Sequence, residues 1–207
     1  MFKGLQKVTL IDFPGVIAAT VFTGGCNFRC PWCHNWGLVD PGSVREAPDI
    51  EESEILEYLD SRAGRIGGVC VTGGEPTLHG IKLVPFFEKL KQRGLKVKLD
   101  TNGYEPEILQ MYIRRGVIDY IAMDIKNTFQ KYAPTAGLSG LDLTRIERSI
   151  AVIRTSGLPH TFRTTVVPGM VDRDEIGEFE QIAGETVVIQ GYRDILQEML
   201  VEAERRG

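Results

Sequence analysis

The sequence predicts an α/β fold in which six strand–helix units form an open barrel. Apolar, β-branched segments alternate along the chain with segments whose apolar residues repeat at helical spacing. Such alternation is typical of parallel strands joined by helical crossovers. A closed eight-unit barrel needs about 250 residues, whereas the chain has 207. We therefore expect a partial (β/α)6, TIM-like barrel of parallel strands that stays open on one side.

Six segments have the short, apolar and β-branched composition of buried parallel strands. The first, VIAATVFTG, leads directly into a group of cysteines. The later segments, such as GVCVT and KVKLD, are shorter. The predicted strands comprise residues 16–24, 68–72, 96–100, 118–126, 161–167 and 186–190.

Helices are predicted after these strands because apolar residues recur there every three or four positions. Asp142 is placed to cap the N-terminus of one helix, and Pro106 lies in the first turn of another. Gly94, Gly116 and Gly157 each follow the last apolar position of a helix. The predicted helices comprise residues 49–62, 81–93, 106–115, 142–156, 172–183 and 194–206.

Composition and charge narrow the class of protein. Hydrophobic residues make up 43% of the chain, and the net charge is −4. A chain of this kind is globular and has no overall attraction to nucleic acid or to an anionic membrane. Its longest apolar run, at 16–22, is too short to span a bilayer, and its first residues lack the apolar core of a signal peptide. We expect a single cytoplasmic domain over 1–207, with neither nucleic acid nor membrane as a partner.

Three of the four cysteines, Cys26, Cys30 and Cys33, lie within eight residues of each other, and Cys70 stands apart. In an intracellular chain this cluster indicates metal or redox chemistry rather than disulfides. Three thiolates on one loop can hold an iron–sulfur cluster whose remaining iron is open to another ligand. A zinc site that adds His34 has the right ligand count, but its adjacent third and fourth ligands argue against it. Cys70 is interpreted as a small, buried core residue.

The C-x3-C-x2-C spacing, with the aromatic Trp32 before the third cysteine, resembles the radical S-adenosylmethionine (SAM) enzymes. The resemblance implies that Cys26, Cys30 and Cys33 hold a [4Fe-4S] cluster and that SAM chelates its fourth iron. It places the backbone of Trp32 beside the adenine. The continuation Cys-His-Asn is similar to the enzymes that activate glycyl-radical enzymes, which adds His34 to the expected cofactor-binding residues. The deazaguanine-forming members usually continue with Asp-Thr.

Glycines and polar residues collect where the predicted parallel strands end, which is where α/β folds bind ligands. Gly73 and Gly74 allow a ligand to approach the backbone closely, and Glu75 adds an acceptor. A plain strand–helix turn uses the same residue types. The next strand ends in Asp100, Thr101 and Asn102. This segment is equally typical of an Asn-Gly turn with a capping aspartate.

The next two strands carry charged residues at their ends. Asp124 and Lys126 share one face of their strand and are expected to point into the barrel mouth. An exposed pair of this kind is worth little to stability. Arg163, on the following strand, is either a contact to a ligand carboxylate or ribose, or the partner in an ion pair inside the barrel.

Taken in order, the segments VTLIDFPG, CNFRCPWCHN, GGEPTL, LDTNG and MDIK resemble the activating proteins of anaerobic ribonucleoside-triphosphate reductases. The activating enzymes of pyruvate formate-lyase are close to this family. The resemblance implies that the GGE motif contacts the SAM amino group, that the DTN segment lines the SAM pocket, and that Asp124 and Lys126 bind the SAM carboxylate. It also implies a monovalent cation near Asp100 and Asp124. A histidine that some relatives carry near the last strand is absent, and Tyr192 or Arg193 stands in its place.

The implied activity is reductive cleavage of SAM to methionine and a 5′-deoxyadenosyl radical, which takes a hydrogen atom from one glycine of a partner enzyme. The implied partners are a glycyl-radical enzyme, foremost an anaerobic ribonucleotide reductase, and an electron donor of the flavodoxin or ferredoxin type.

Other functions stay open at this point. They are a pyruvate formate-lyase-type activating enzyme, a small-molecule radical SAM enzyme such as a carboxy-deazaguanine synthase, and a non-enzymatic iron–sulfur or zinc module. Residues 127–140 are expected to form a long loop near the barrel mouth, and such loops often carry partner specificity. The sequence does not name the partner.

Overall fold

The computed structural model describes residues 1–192, and its centre is one sheet of seven strands in sequential order. The first strand pairs antiparallel with the second, and all later neighbours are parallel. The two outer strands of the described chain each pair on one side only, so the sheet stays open. The strands are β1 (Phe2–Thr9), β2 (Ala18–Thr23), β3 (Gly68–Gly73), β4 (Lys96–Thr101), β5 (Tyr120–Asp124), β6 (His160–Val166) and β7 (Val187–Gly191).

Helices connect the successive parallel strands. Asp142 accepts a hydrogen bond from the backbone N–H of Thr144 and so caps its helix as predicted. Gly94, Gly116 and Gly157 follow helix ends with positive φ, which glycine adopts without steric cost. The helices are α1 (Pro41–Glu46), α2 (Glu52–Ser61), α3 (Val84–Gln92), α4 (Pro106–Arg114), α5 (Phe129–Thr135), α6 (Leu143–Thr155) and α7 (Ile176–Ala183). Short 3-10 segments occur at Trp36–Leu38, Pro76–Leu83 and Arg173–Glu175.

The predicted fold class is confirmed. All six predicted strands are present as β2 to β7 and run parallel, with helices as crossovers. The helix predicted at 194–206 lies outside the described residues. In the described part of the chain, no helix has both the length and the apolar character that crossing a bilayer requires.

Three elements differ from the sequence-based prediction, because α1 was not predicted either. The strand β1 was not predicted, because it has no buried apolar run: only its ends, Phe2 and Thr9, are buried, and the residues between them are exposed or half-buried. The expected loop at 127–140 contains α5. Pro134 within this helix made the segment resemble a loop, whereas burial of Tyr132 and Thr135 holds it in place.

The two faces of the parallel sheet have different chemistry. One face contributes fully buried residues such as Val69, Val97 and Ile121 to the main apolar core, together with residues of the helices. Side chains alternate along a strand, so the intervening residues point to the barrel interior. That interior contains the polar side chains of Cys70 and Lys98, which occupy neighbouring register positions on β3 and β4. The apolar core therefore lies outside the sheet, and the inner face is available for charged groups.

The loop between β1 and β2 closes the N-terminal end of the barrel. The Phe13 side chain is 3% exposed, and its ring centroid lies 5.8 Å from that of Tyr120, the first residue of β5. Gly68, the first residue of β3, leaves room for this ring, because a Cβ there would lie 3.0 Å from Cε1 of Phe13. Asp12 accepts a 2.6 Å hydrogen bond from the Thr20 hydroxyl. The loop thus acts as a plug opposite the strand ends that build the site.

We expect the Phe13→Ala substitution to lower the free energy of unfolding by about 3–5 kcal/mol, because it removes a buried aromatic ring. The measurement is the urea midpoint. The matched control is Leu10→Ala, on the same loop, where the side chain is 72% exposed and the expected change is about 0.5 kcal/mol or less. If the two substitutions lower the urea midpoint equally, Phe13 does not close the barrel by burial of its ring.

Candidate functional site

A cavity of about 230 Å³ opens at the carboxyl ends of the parallel strands. This is the end of a parallel α/β barrel where ligands bind. Every residue that the sequence singled out for the site lines this cavity. They are Cys26, Cys30, Trp32, Cys33, His34, Gly73, Gly74, Glu75, Asp100, Thr101, Asn102, Asp124, Lys126 and Arg163. The structure thus brings together motifs that are far apart in the sequence, while their individual roles stay predictions.

The cysteine loop leaves the end of β2 and is held by backbone hydrogen bonds. Gly25 N–H donates to Leu38 O over 2.7 Å, and Arg29 N–H donates to Ala136 O over 2.8 Å. The Arg29 guanidinium donates to the carbonyl oxygens of Cys26 and Phe28 at 2.6 and 2.7 Å. The position of the cysteines is therefore fixed by the main chain around them.

The three loop cysteines are free thiols in mostly buried surroundings. Burial, and then the nearby Glu75 carboxylate, raises the pKa of Cys26 from 9.0 to about 12. Burial also raises the pKa values of Cys30 and Cys33, although the Lys126 ammonium opposes the shift at both. Within residues 1–192, no group of three or more His, Cys, Asp or Glu side chains is arranged to hold a single metal ion. Iron loading has to displace the thiol protons, since only thiolates are ligands.

The two glycines at the end of β3 are required by close packing against the end of β2 and the start of the cysteine loop. A Cβ on Gly74 would collide with the carbonyl group of Gly25, and Gly73 has a φ of +125°. Glu75 N–H donates to that same Gly25 carbonyl over 2.7 Å. The exit of β3 is therefore attached directly to the residue that precedes Cys26.

The Glu75 carboxylate connects this turn to the end of β4. Its side chain is 1% exposed. It accepts hydrogen bonds from the Thr77 N–H and hydroxyl at 3.0 and 2.6 Å, from the Thr101 hydroxyl at 2.8 Å, and from the Asn102 N–H at 2.7 Å. Burial raises the pKa of Glu75, and these donors partly offset the shift. Since protein donors already occupy both oxygens, Glu75 organises the site in addition to lining it.

Five charged side chains alternate in sign across the inner ends of three strands. Arg163 on β6 donates to Asp124 Oδ1 from Nε at 2.8 Å and lies 3.4 Å from Asp100 Oδ2 through Nη1. Lys126 Nζ lies 3.0 Å from Asp124 Oδ2, and Lys98 pairs with Asp100 Oδ1. Burial would raise the pKa of Asp124, but Arg163 and Lys126 outweigh it and lower the pKa well below its ordinary value. We call this row of residues the charge ladder.

Trp32 and Lys126 lie together at the mouth of the cavity. The Lys126 ammonium is 5.1 Å from the centroid of the Trp32 ring, a cation–π geometry. Burial would lower the pKa of Lys126, but Asp124 and then Cys30 raise it above its ordinary value. The Trp32 indole N–H is buried and has no acceptor in the described part of the chain. Buried donors are normally satisfied, so this N–H fits a site that receives a ligand with acceptor atoms.

Some residues and contacts of the site were not predicted from the sequence. Thr165 and Gln190, at the ends of β6 and β7, also face the cavity, and the strand-end rule that selected Asp124 could have found them. Lys98 belongs to the charge ladder and could have been found from its i, i+2 spacing to Asp100. His34 stacks on Tyr192, with ring centroids 5.4 Å apart, a contact that nothing in the local sequence indicates.

Cys70 lies on the inner face of β3 and is fully buried, as predicted. Its surroundings are not apolar, because Lys98 Nζ lies 3.6 Å from its sulfur. Burial raises the pKa of Cys70 well above its ordinary value, so the thiol stays protonated at neutral pH.

Comparison with known proteins shows the family of the chain. The profile of the Radical SAM superfamily matches residues 20–181. A putative glycyl-radical enzyme activating enzyme of Methanocaldococcus jannaschii is 30% identical over 179 residues, which cover 85% of this chain and 72% of the relative. A pyruvate formate-lyase-activating enzyme of Streptococcus mutans is 33% identical over 183 residues, covering 82% of this chain and 67% of the relative.

Solved structures show the same fold at low sequence identity. TYW1 with a lysine–pyruvate adduct bound has a TM-score of 0.64 at 15% identity, and the match covers 89% of this chain and 68% of that one. A histidine-tagged anSMEcpe with bound AdoMet has a TM-score of 0.61 at 18% identity, and the match covers 83% of this chain and 50% of that one. The matching profile and the relatives together place the chain in a family: it belongs to the radical SAM superfamily and, within it, to the glycyl-radical enzyme activating enzymes.

Proposed function

We propose that this activating enzyme generates the glycyl radical of an anaerobic ribonucleoside-triphosphate reductase. The observation that carries the proposal is the cavity in which three free cysteines, a GGE turn and the charge ladder meet. The order of the motifs from VTLIDFPG to MDIK favours the reductase as partner. A pyruvate formate-lyase is the second candidate, because a relative named as its activating enzyme is 33% identical to this chain.

The residues around the cysteine loop fit an iron–sulfur cluster. Cys26, Cys30 and Cys33 supply three thiols, and the family implies a [4Fe-4S] cluster there. The Phe28 N–H already lies 3.3 Å from the Cys26 sulfur, and hydrogen bonds to cysteine sulfurs tune cluster potentials. The free indole N–H of Trp32 adds a donor beside the loop.

The other side of the cavity fits SAM. The charge ladder carries three cationic groups and two carboxylates, and this surplus of positive charge suits the SAM carboxylate near Lys126. We propose that the GGE turn binds the SAM amino group and that the backbone of Trp32 lies beside the SAM adenine. Thr101 and Asn102 complete the lining of the cavity on this side. His34, which stacks on Tyr192, narrows the cavity.

When bound, the cluster would supply one electron for reductive cleavage of the SAM carbon–sulfur bond to methionine and a 5′-deoxyadenosyl radical, which would take one hydrogen atom from glycine. The chain binds and orients the reactants and excludes water, as proteins do for cofactor chemistry. The Glu75 hydrogen bonds keep the β3 and β4 exits together, and Phe13 closes the opposite end of the barrel.

The segment 127–140 packs beside the cysteine loop. Arg29 of the cysteine loop donates to Ala136 O at 2.8 Å, and a Cβ on Gly137 would collide with the Arg29 carbonyl. The segment therefore packs directly on the cysteine loop, while Gln130, Lys131 and Pro134 stay exposed. We propose that these exposed positions contact the glycyl-radical enzyme. A flavodoxin- or ferredoxin-type donor and a cytoplasmic location stay predictions.

The decisive experiment is anaerobic. The chain is loaded with iron and sulfide, reduced with dithionite, and mixed with SAM and either an anaerobic ribonucleotide reductase or a pyruvate formate-lyase. We expect a glycyl-radical EPR doublet with the reductase and 5′-deoxyadenosine as co-product. A doublet only with the lyase would move the assignment to the second candidate, and product without any protein partner would favour a small-molecule enzyme.

The Cys30→Ala variant is expected to lose the cluster and all SAM cleavage, because two thiolates remain on the loop. The measurements are bound iron, the visible absorption of the cluster, and 5′-deoxyadenosine. Cys70→Ala is the matched control and should retain all three, since Cys70 lies on the inner face of β3 outside the cavity lining. Cleavage by Cys30→Ala would overturn the assignment of the loop.

The Lys126→Met variant is expected to weaken SAM binding at least tenfold, since a hydrogen bond to a charged group is worth about 1.5–3 kcal/mol. The measurement is equilibrium dialysis of labelled SAM with cluster-loaded protein. Lys131→Met, which removes an exposed ion pair with Glu175, should bind SAM as the wild type does. Unchanged affinity in Lys126→Met would remove Lys126 from the proposed site.

The Gly74→Ala variant is expected to lose about 1–3 kcal/mol of stability and part of its cluster, because the new Cβ would push the β3 turn away from Gly25. Urea unfolding and the iron content measure the two effects. Gly177→Ala, in α7, is the control, since its Cβ meets nothing within 4 Å. If Gly74→Ala behaves like this control, close packing does not explain the two glycines.

A further inference from the structure

The two carboxylates at which a monovalent cation is expected already have cationic partners from the chain itself. Asp124 and Arg163 are register partners on β5 and β6. The guanidinium of Arg163 bridges Asp124 Oδ1, at 2.8 Å from Nε, and Asp100 Oδ2, at 3.4 Å from Nη1. The guanidinium therefore lies between these two carboxylate oxygens, where it would compete with an ion bound to both.

The remaining two carboxylate oxygens are occupied as well. Lys98 pairs with Asp100 Oδ1, and Lys126 Nζ lies 3.0 Å from Asp124 Oδ2. The neighbouring Thr101 hydroxyl is also used, because it donates to Glu75 at 2.8 Å and accepts from Gly103 N–H at 3.0 Å. Each of the four carboxylate oxygens therefore already has a cationic partner from the chain, and an alkali cation would have to compete with these partners for its oxygen ligands.

The balance of charge also disfavours a bound cation at this position. Three cationic side chains surround two carboxylates, and an arginine stays protonated in proteins. The five side chains are between 3% and 26% exposed, so the charges are poorly screened by water. A further cation would add to a local surplus of positive charge, whereas an anionic group would neutralise it.

We propose that Arg163 is a positioning residue that takes the place of the monovalent cation, so that this enzyme needs no bound Na⁺ or K⁺. It holds Asp100 and Asp124 in place and leaves Lys126 available to a carboxylate. The stabilising role of Arg163 is independent of the proposed function. Only its expected effect on ligand binding rests on that proposed function.

The test compares NaCl, KCl and choline chloride at equal ionic strength on cluster-loaded full-length protein under anaerobic conditions. The first readout is the thermal midpoint without SAM, and the second is the dissociation constant of SAM. For the wild type we expect midpoints within about 1 °C of each other and dissociation constants within roughly twofold. A SAM affinity or midpoint that rises well beyond these limits with Na⁺ or K⁺ over choline would overturn the proposal.

The Arg163→Gln variant should depend on the cation, because it leaves Asp100 and Asp124 without the guanidinium that bridges them. We expect it to be destabilised and to bind SAM roughly tenfold more weakly in choline, with both defects relieved selectively by Na⁺ or K⁺. The Arg163→Lys variant keeps the positive charge, so its stability and SAM affinity should not depend on the cation. This variant also tests the proposal if Arg163→Gln does not fold. Lack of selective rescue in Arg163→Gln, or cation dependence in Arg163→Lys, would contradict the proposal.

Arg145→Gln is the matched control. Arg145 also lies between two carboxylates, at 2.7 Å from Glu105 and 3.6 Å from Glu107, but it is outside the cavity lining. Its loss should cause no cation-specific change, and rescue of this variant by K⁺ would show that the response is general. If SAM fails to bind any variant while the midpoints behave as expected, the proposed SAM site fails and the role of Arg163 stands.

Discussion

The site depends on one backbone contact, the approach of the β3 exit to the residue before Cys26. The Gly25 carbonyl accepts from Glu75 N–H and lies where a side chain on Gly74 would be. This contact places the cysteine loop and, through the Glu75 carboxylate, also the end of β4 at Thr101 and Asn102. Because backbone groups and a buried carboxylate make these connections, three strand ends are fixed before any cofactor binds. Such preorganisation is what positioning of a reactive ligand requires.

The polar interior of the barrel follows from the same arrangement. A sheet whose outer face carries the apolar core can place charges inside only if each has a partner, since unpaired buried charges are costly. The charge ladder meets this requirement with alternating signs, and Lys98 and Arg163 belong to it as much as the residues of the recognisable motifs. The plug at Phe13 packs against the other end of the barrel. The ladder thus combines the solvation of buried charge with the surplus positive charge that a carboxylate-bearing ligand needs.

Much of this fold and site follows from local sequence, and the rest does not. Composition predicted β2 to β7 because each contains a short run of apolar or β-branched residues, whereas β1 mixes lysines, a glutamine and a glycine with its apolar residues and buries only its two ends. The segment α5 contains Pro134 and is helical because Tyr132 is buried by distant parts of the chain. The motifs identified which residues meet at the cavity. They could not show that Thr101 and Asn102, at the end of the next strand, also donate to Glu75, because pairing between residues so far apart in the chain is set by tertiary structure.

Family resemblance and partner choice depend on different residues. The strand ends have to present the same geometry to any glycine that is activated, so similarity there says little about which protein supplies the glycine. The segment 127–140 meets the cysteine loop through main-chain groups, the Arg29 N–H and the Ala136 carbonyl. Its exposed side chains, such as Gln130 and Lys131, can therefore differ between relatives without moving the cysteines.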